Sequence, residues 1–167
     1  MKDVDGAPGQ YAPAAAVAAL LVRPDGSLLA QHRDDHAPIA PNQWGLVGGV
    51  QEDGEDPLVA VLRELREETG IIPRTPLTLF YRGRRPASSG PGTTHWHVYY
   101  GPCDIRDDDI DVNEGRDIRF VAPDRLLASD LGTSACFFVP AFLASPEYAA
   151  CRGLTGRRSV RRHPPAR

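Results

Sequence analysis

The apolar and polar positions fall into blocks that separate strands from helices. "AAVAALLV" is an almost unbroken apolar run, and "SLLAQHR" follows it across "RPDG". Pro-Asp-Gly is a turn signal, so the pair predicts a hairpin of strands near residues 14–22 and 27–33. The run from Ala12 to Val22 is far shorter than the ~20 residues a bilayer requires, and acidic residues precede it. It reads as a core strand and not as an export signal. "DDHAPIAPNQ" reads as a loop, and the glycine-rich "WGLVGG" as a loop able to bring backbone close to a ligand.

The clearest helix is Pro57 to Thr69. Leu58, Val61, Leu62 and Leu65 recur at helical spacing, Asp56 suits the N-cap, Pro57 the first turn, and Gly70 a left-handed C-terminal cap. Beyond it, "LTLFYRG" and "THWHVYYG" predict two strands joined by "RRPASSGPGT", "IRFV" a short strand, and "SACFFVPAFLAS" a second helix that Pro140 kinks or starts. Strands on both sides of a helix, without regular alternation, predict an α+β fold: a mixed sheet in an α/β/α sandwich, with helices packed on both faces.

Composition narrows this further. With 41% hydrophobic and 25% charged residues among 167, the chain supports one domain, expected over residues 11–152. Residues 1–10 are polar with Gly and Pro, and residues 153–167 carry an arginine-rich end, so both are expected to be disordered. The net charge of −3 gives no electrostatic argument for binding nucleic acid or a membrane. The arginine-rich end admits phosphate contact or a solubilising role, and the second is favoured because no aromatic residue interleaves it. Cys103, Cys136 and Cys151 lack metal-ligand spacing and suit free thiols in a reducing cytoplasm.

Charge is concentrated in "LRELREETG". On a helix Glu64 stands beside Glu67 and Glu68, so three carboxylates converge, with Arg63 able to reach back to Glu55. A solvated charged face explains the pattern as well as a bound hard cation such as Mg²⁺ does. The spacing alone leaves both open.

The longer segment "GVQEDGEDPLVAVLRELREETGI" resembles the Nudix box. Gly49, Glu55, Arg63, Glu64, Leu65, Glu67, Glu68, Gly70 and Ile71 fill its fixed positions over 23 residues. Val47 stands where many members have proline, a change in loop stiffness and not in ligands. The resemblance implies a Nudix fold and a cytoplasmic, MutT-like hydrolase that uses Mg²⁺ or Mn²⁺ to cleave a nucleoside diphosphate derivative by water attack. Glu67 and Glu68 would be metal ligands, Glu64 a ligand or general base, and the Gly48 carbonyl a further ligand. Glu55 and Arg63 would orient helix and loop. A carboxylate outside the box often adds a ligand or base in this family; Glu114 is the choice here, with Asp107, Asp108, Asp109 and Asp111 competing.

Substrate contacts are sought among aromatic and imidazole side chains: Trp44, His95, Trp96, His97 and Tyr99. Strand alternation puts His95 and His97 on one face and Trp96 on the other, so one set would face a cleft. Trp44, His95, His97 and Tyr99 are the selected contacts, while His32 and His36 are expected on the surface. The expected reaction converts a nucleoside triphosphate, including an oxidised guanine nucleotide, to monophosphate and pyrophosphate. Nucleotide sugars and dinucleoside polyphosphates are the alternative substrates, and a non-catalytic nucleotide sensor is the alternative class. The expected partner is a small-molecule nucleotide, with no membrane or nucleic acid, and a homodimer stays open.

Overall fold

The computed structural model describes residues 15–87 and 92–155. At its centre is β1 (Ala16–Val22), buried along its whole length because it is covered on both faces. It runs parallel to β6 (Thr93–Pro102) over seven residues, from Ala16 opposite Trp96 to Val22 opposite Pro102. Its other edge is shared. The first half pairs antiparallel with β4 (Val47–Val50), and only Val22 pairs with Leu28 of β2 (Leu28–His32). The expected hairpin is therefore a turn whose strands part at once: β2 continues against β7 (Asp117–Val121) and β3 (Trp44–Gly45). β5 (Thr78–Pro86) closes the far edge against β6.

Alternation along β1 builds two cores. Val17, Ala19 and Leu21 pack with Ala60, Val61 and Leu65 of α1 (Pro57–Thr69). Ala18, Leu20 and Val22 pack with Phe138, Val139 and Phe142 of α3 (Thr133–Leu143) and with Tyr148 and Cys151 of α4 (Pro146–Thr155). Helices thus cover both faces of a mixed sheet, as the sequence predicts. A short helix, α2 (Pro123–Leu127), links β7 to this second layer.

The α1 signals hold residue by residue. Asp56 accepts a hydrogen bond from the Leu58 N–H at 2.8 Å, and Gly70 is left-handed at φ 69°. Leu62 departs from the predicted apolar face and stays 37% exposed, its place beneath the helix taken by Ala60. "WGLVGG" is a pair of strands and not a loop. Backbone proximity explains the glycines: a Cβ on Gly48, at φ +153°, would lie 2.1 Å from the Val17 carbonyl oxygen. Pro140 sits inside α3 and does not start it; the helix begins after Gly132, whose N–H donates to the Trp44 carbonyl. Both strands around "RRPASSGPGT" extend into that segment, and residues 88–91 lie outside the described residues, as do the ends 1–14 and 156–167. The cysteines are free thiols, Cys103 and Cys151 buried and Cys136 exposed. Among the described residues no helix is long and apolar enough to cross a membrane.

Candidate functional site

The last two turns of α1 aim their carboxylates at β4 and at the turn before β7. Glu64 lies against Gly49, where a Cβ would stand 2.5 Å from its Oε1, so glycine is required for the helix to approach the strand. Glu68 is 4% exposed and accepts a hydrogen bond from Gln31 Nε2 at 3.2 Å. Glu67 is the outermost of the three, its side chain 57% exposed.

Arg63 organises the group. Its guanidinium donates to both Glu55 oxygens at 2.9 and 3.0 Å, to Glu64 at 2.8 Å, to Glu67 at 3.3 Å and to the Val50 carbonyl at 3.1 Å. The planar fork suits this use: one side chain ties the loop, the strand and the helix. Pairing with Arg63 holds the Glu55 carboxyl below the usual range.

Glu68 lacks such a partner. Burial, then the charges of Glu114 and Glu64, push its carboxyl up to about 8, against smaller opposing effects of Arg33 and the Gly48 amide. Glu64 is also raised, by burial first and by Glu67 and Glu114, although Arg63 opposes this. Glu114, chosen from an acidic run of five candidates, is therefore brought beside the helix carboxylates. Asp107 instead pairs with Arg23 at 3.1 Å, Asp109 with Arg106 at 3.1 Å, and Asp111 donates its N–H to the Thr69 carbonyl.

Among the described residues no three acidic, imidazole or thiol side chains are already gathered so as to hold a metal ion. Arg63 occupies Glu64 and Glu67. The donor chemistry nevertheless fits a hard divalent cation: all-oxygen ligands, with like charges crowded at Glu64 and Glu68 that a cation would relieve. Filling such a site needs Arg63 Nη1 to yield its contacts with Glu64 and Glu67.

On the opposite side of β4 lies a cavity of about 660 Å³, lined by Gly48, Gly49, Arg33, Leu46, Trp44 and Trp96, with Thr133 and Ser134 at the start of α3. Gly48 and Gly49 belong to both: they line the cavity, and Gly49 lies against Glu64 while the Gly48 amide reaches Glu68. Its aromatic walls are braced: Trp44 stacks on His32 at 4.8 Å and 7°, and Trp96 packs against Phe138 at 5.5 Å. His32 thus supports a cavity wall and is not merely at the surface, whereas His36 is exposed.

Of the selected contacts, Trp44 lines the cavity. His95, His97 and Tyr99 lie on the other face of β6, toward α1. Tyr99 is 8% exposed in the core, and the imidazole of His97 is lowered by burial, His95 and Arg82, with Asp56 opposing. Trp96 and Arg33 are among the cavity residues the selection leaves out. Alternation separates Trp96 from His97 correctly; which face carries the cavity depends on which helix covers it. Arg33 gave no local signal beyond following a strand.

A family model described as the NUDIX domain matches residues 12–138. The nucleoside triphosphatase NudI of Escherichia coli O81 is 30% identical over 121 residues, covering 68% of this chain and 86% of that protein. With two further curated relatives the match spans only 25% and 32% of their lengths. Among solved structures, the E. coli ORF135 protein superposes with a TM-score of 0.63 at 26% identity, covering 83% of this chain and 94% of that one. The NUDIX domain of Shewanella oneidensis NrtR, solved with ADP ribose, superposes at 0.66 with 18% identity, covering 78% and 86%.

Proposed function

The chain belongs to the Nudix family, and from that membership we propose that it is a Mg²⁺-dependent hydrolase, Mn²⁺ serving as the alternative ion. It cleaves a pyrophosphate bond in a nucleoside triphosphate or a related nucleoside diphosphate derivative. The observation that carries this reading is the arrangement across β4, where the cavity meets the box carboxylates at Gly48 and Gly49. The likeness to NudI, named a nucleoside triphosphatase, supports a triphosphate substrate.

A nucleotide whose base enters the cavity against Trp44 and Trp96 directs its phosphates past Arg33 toward α1. Glu64, Glu67 and Glu68 would hold the cation, with the Gly48 carbonyl as a further donor. When bound, the ion supplies charge neutralisation at the phosphoryl oxygens and acidifies a water. Arg63, its Nη1 released from Glu64 and Glu67, still ties Glu55 to β4 through Nε and Nη2. Glu114 or Glu64 takes the proton of the attacking water, whose oxygen bonds to phosphorus as the anhydride P–O bond breaks. A triphosphate then leaves as monophosphate and pyrophosphate, with no covalent enzyme intermediate.

The test is a screen with Mg²⁺ against NTPs, dNTPs, oxidised guanine nucleotides, nucleotide sugars and dinucleoside polyphosphates, reading the phosphate species released. Glu67→Gln and Glu68→Gln should each lower turnover by about 100-fold or more. Nucleotide binding without turnover of any substrate would favour the sensor class, and unchanged turnover in both variants would sink the mechanism.

A further inference from the structure

The turn at residues 111–115 is built onto the end of α1. The last carbonyls of a helix have no partner within it, and here three in succession are taken by this turn. Glu67 O accepts from Asn113 Nδ2 at 2.8 Å, Glu68 O from the Asn113 N–H at 3.1 Å, and Thr69 O from the Asp111 N–H at 3.0 Å. The other side of the turn is fastened to β2. Gln31 Nε2 bridges Glu68 Oε2 at 3.2 Å and the Glu114 carbonyl at 3.3 Å, and the Arg116 N–H donates to the His32 carbonyl at 2.8 Å. Gly115, at φ +78°, makes the approach to β2, since a Cβ there would lie 2.8 Å from the His32 carbonyl oxygen.

Gln31 is an unusual residue for its place. It is 1% exposed on a core strand, and its Oε1 is buried with no hydrogen-bond partner. A buried amide left half-satisfied is unfavourable, and an apolar side chain would avoid that. What the amide does achieve is to join the carboxylate of Glu68 to the backbone of Glu114, two groups 46 residues apart in the chain.

We infer that Asn113 and Gln31 are positioning residues that clamp the 111–115 turn between α1 and β2, fixing Glu114 opposite Glu68 so that both carboxylates serve one divalent cation. The inference rests on the hydrolase reading above. It assigns the placement of Glu114 to two side chains that touch neither substrate nor cation. Asn113 acts through Glu114, while the neighbouring backbone bonds keep the turn folded when its amide is removed.

The test is Mn²⁺ binding followed by electron paramagnetic resonance in the absence of substrate, with thermal melts to establish folding. Asn113→Ala should weaken Mn²⁺ binding by about tenfold, in the range seen when partners of metal ligands are removed. In a Glu114→Gln background the same change should have no further effect. Gln31→Leu, which also discards the orphaned Oε1, should behave like Asn113→Ala while melting no lower. Should Gln31→Leu fail to fold, the Asn113 pair decides alone. An unchanged affinity in Asn113→Ala, or the same loss with and without Glu114, overturns the clamp. If wild-type protein binds Mn²⁺ and Glu68→Gln abolishes that binding, the metal site stands, and an unchanged affinity in Asn113→Ala then overturns the clamp alone. If wild-type protein binds no Mn²⁺, the hydrolase reading falls and the clamp with it.

Discussion

Glu68→Gln should raise the stability of the metal-free protein while lowering Mg²⁺-dependent turnover. The Glu68 carboxyl is pushed from 4.5 to about 8, by burial first and then by Glu114 and Glu64. At about 1.4 kcal/mol per unit, ionising it inside the fold costs on the order of 5 kcal/mol relative to the unfolded chain. The sign follows from proton counts. Between roughly pH 4.5 and 8 the folded protein holds a proton that the unfolded chain has released, so stability falls as pH rises through that window. Below it neither state is ionised, and above it both are and the full cost is present. Glutamine keeps the shape and cannot ionise. Calorimetry in chelator should give similar melting temperatures for wild type and variant at pH 4.5 and below. At pH 8.5 the variant should melt higher by about 10 °C or more, taking 2–4 °C per kcal/mol for a chain of this size. Adding Mg²⁺ at pH 8.5 should lift the wild type alone. Parallel pH slopes for the two proteins in chelator would refute the claim that Glu68 is a strained carboxyl awaiting a cation.

Gly49→Ala puts a Cβ 2.5 Å from Glu64 Oε1 and should weaken Mn²⁺ binding by about 10- to 100-fold, measured by calorimetric titration. Gly54→Ala, at φ +75° with nothing within 4 Å, should lower stability by about 1 kcal/mol in urea unfolding and leave metal affinity unchanged. Trp96→Ala should raise KM for a nucleotide substrate by about tenfold, the scale of one lost stacking contact, whereas His95→Ala on the opposite face should leave KM unaltered. Equal effects of the two would show that the cavity is not where the base sits.

What was legible in the sequence was what depends on near neighbours. The cap at Asp56, the left-handed Gly70 and the reach of Arg63 to Glu55 all involve residues within one helix and its approach, and each is found. The glycines of β4 misled because their requirement is set by Val17 and Glu64, one on another strand and one on the helix above. Read locally, two adjacent glycines mean a loop. The cavity was hidden for a similar reason: Trp44 and Trp96 come from two strands and Arg33 from the residue after a third, and nothing in any one of them says which face α3 leaves open. Glu114 was reachable only as one of several acids, since the bonds that single out its turn run to helix carbonyls that every helix has.

Gly48 and Gly49 have an evolutionary consequence. At these two glycines of β4 a side that carries carboxylates, built by α1, meets a side that forms a cavity, lined from β3, β6 and α3 among others. The two share almost no side chains, with Arg33 the main exception, because its charge reaches Glu68 while its side chain lines the cavity. Mutations that reshape the cavity can therefore accumulate without disturbing the carboxylates. A lineage built on this plan is free to exchange one ligand for another while its reactive half stays fixed, and Arg33 is where the two histories must stay in step.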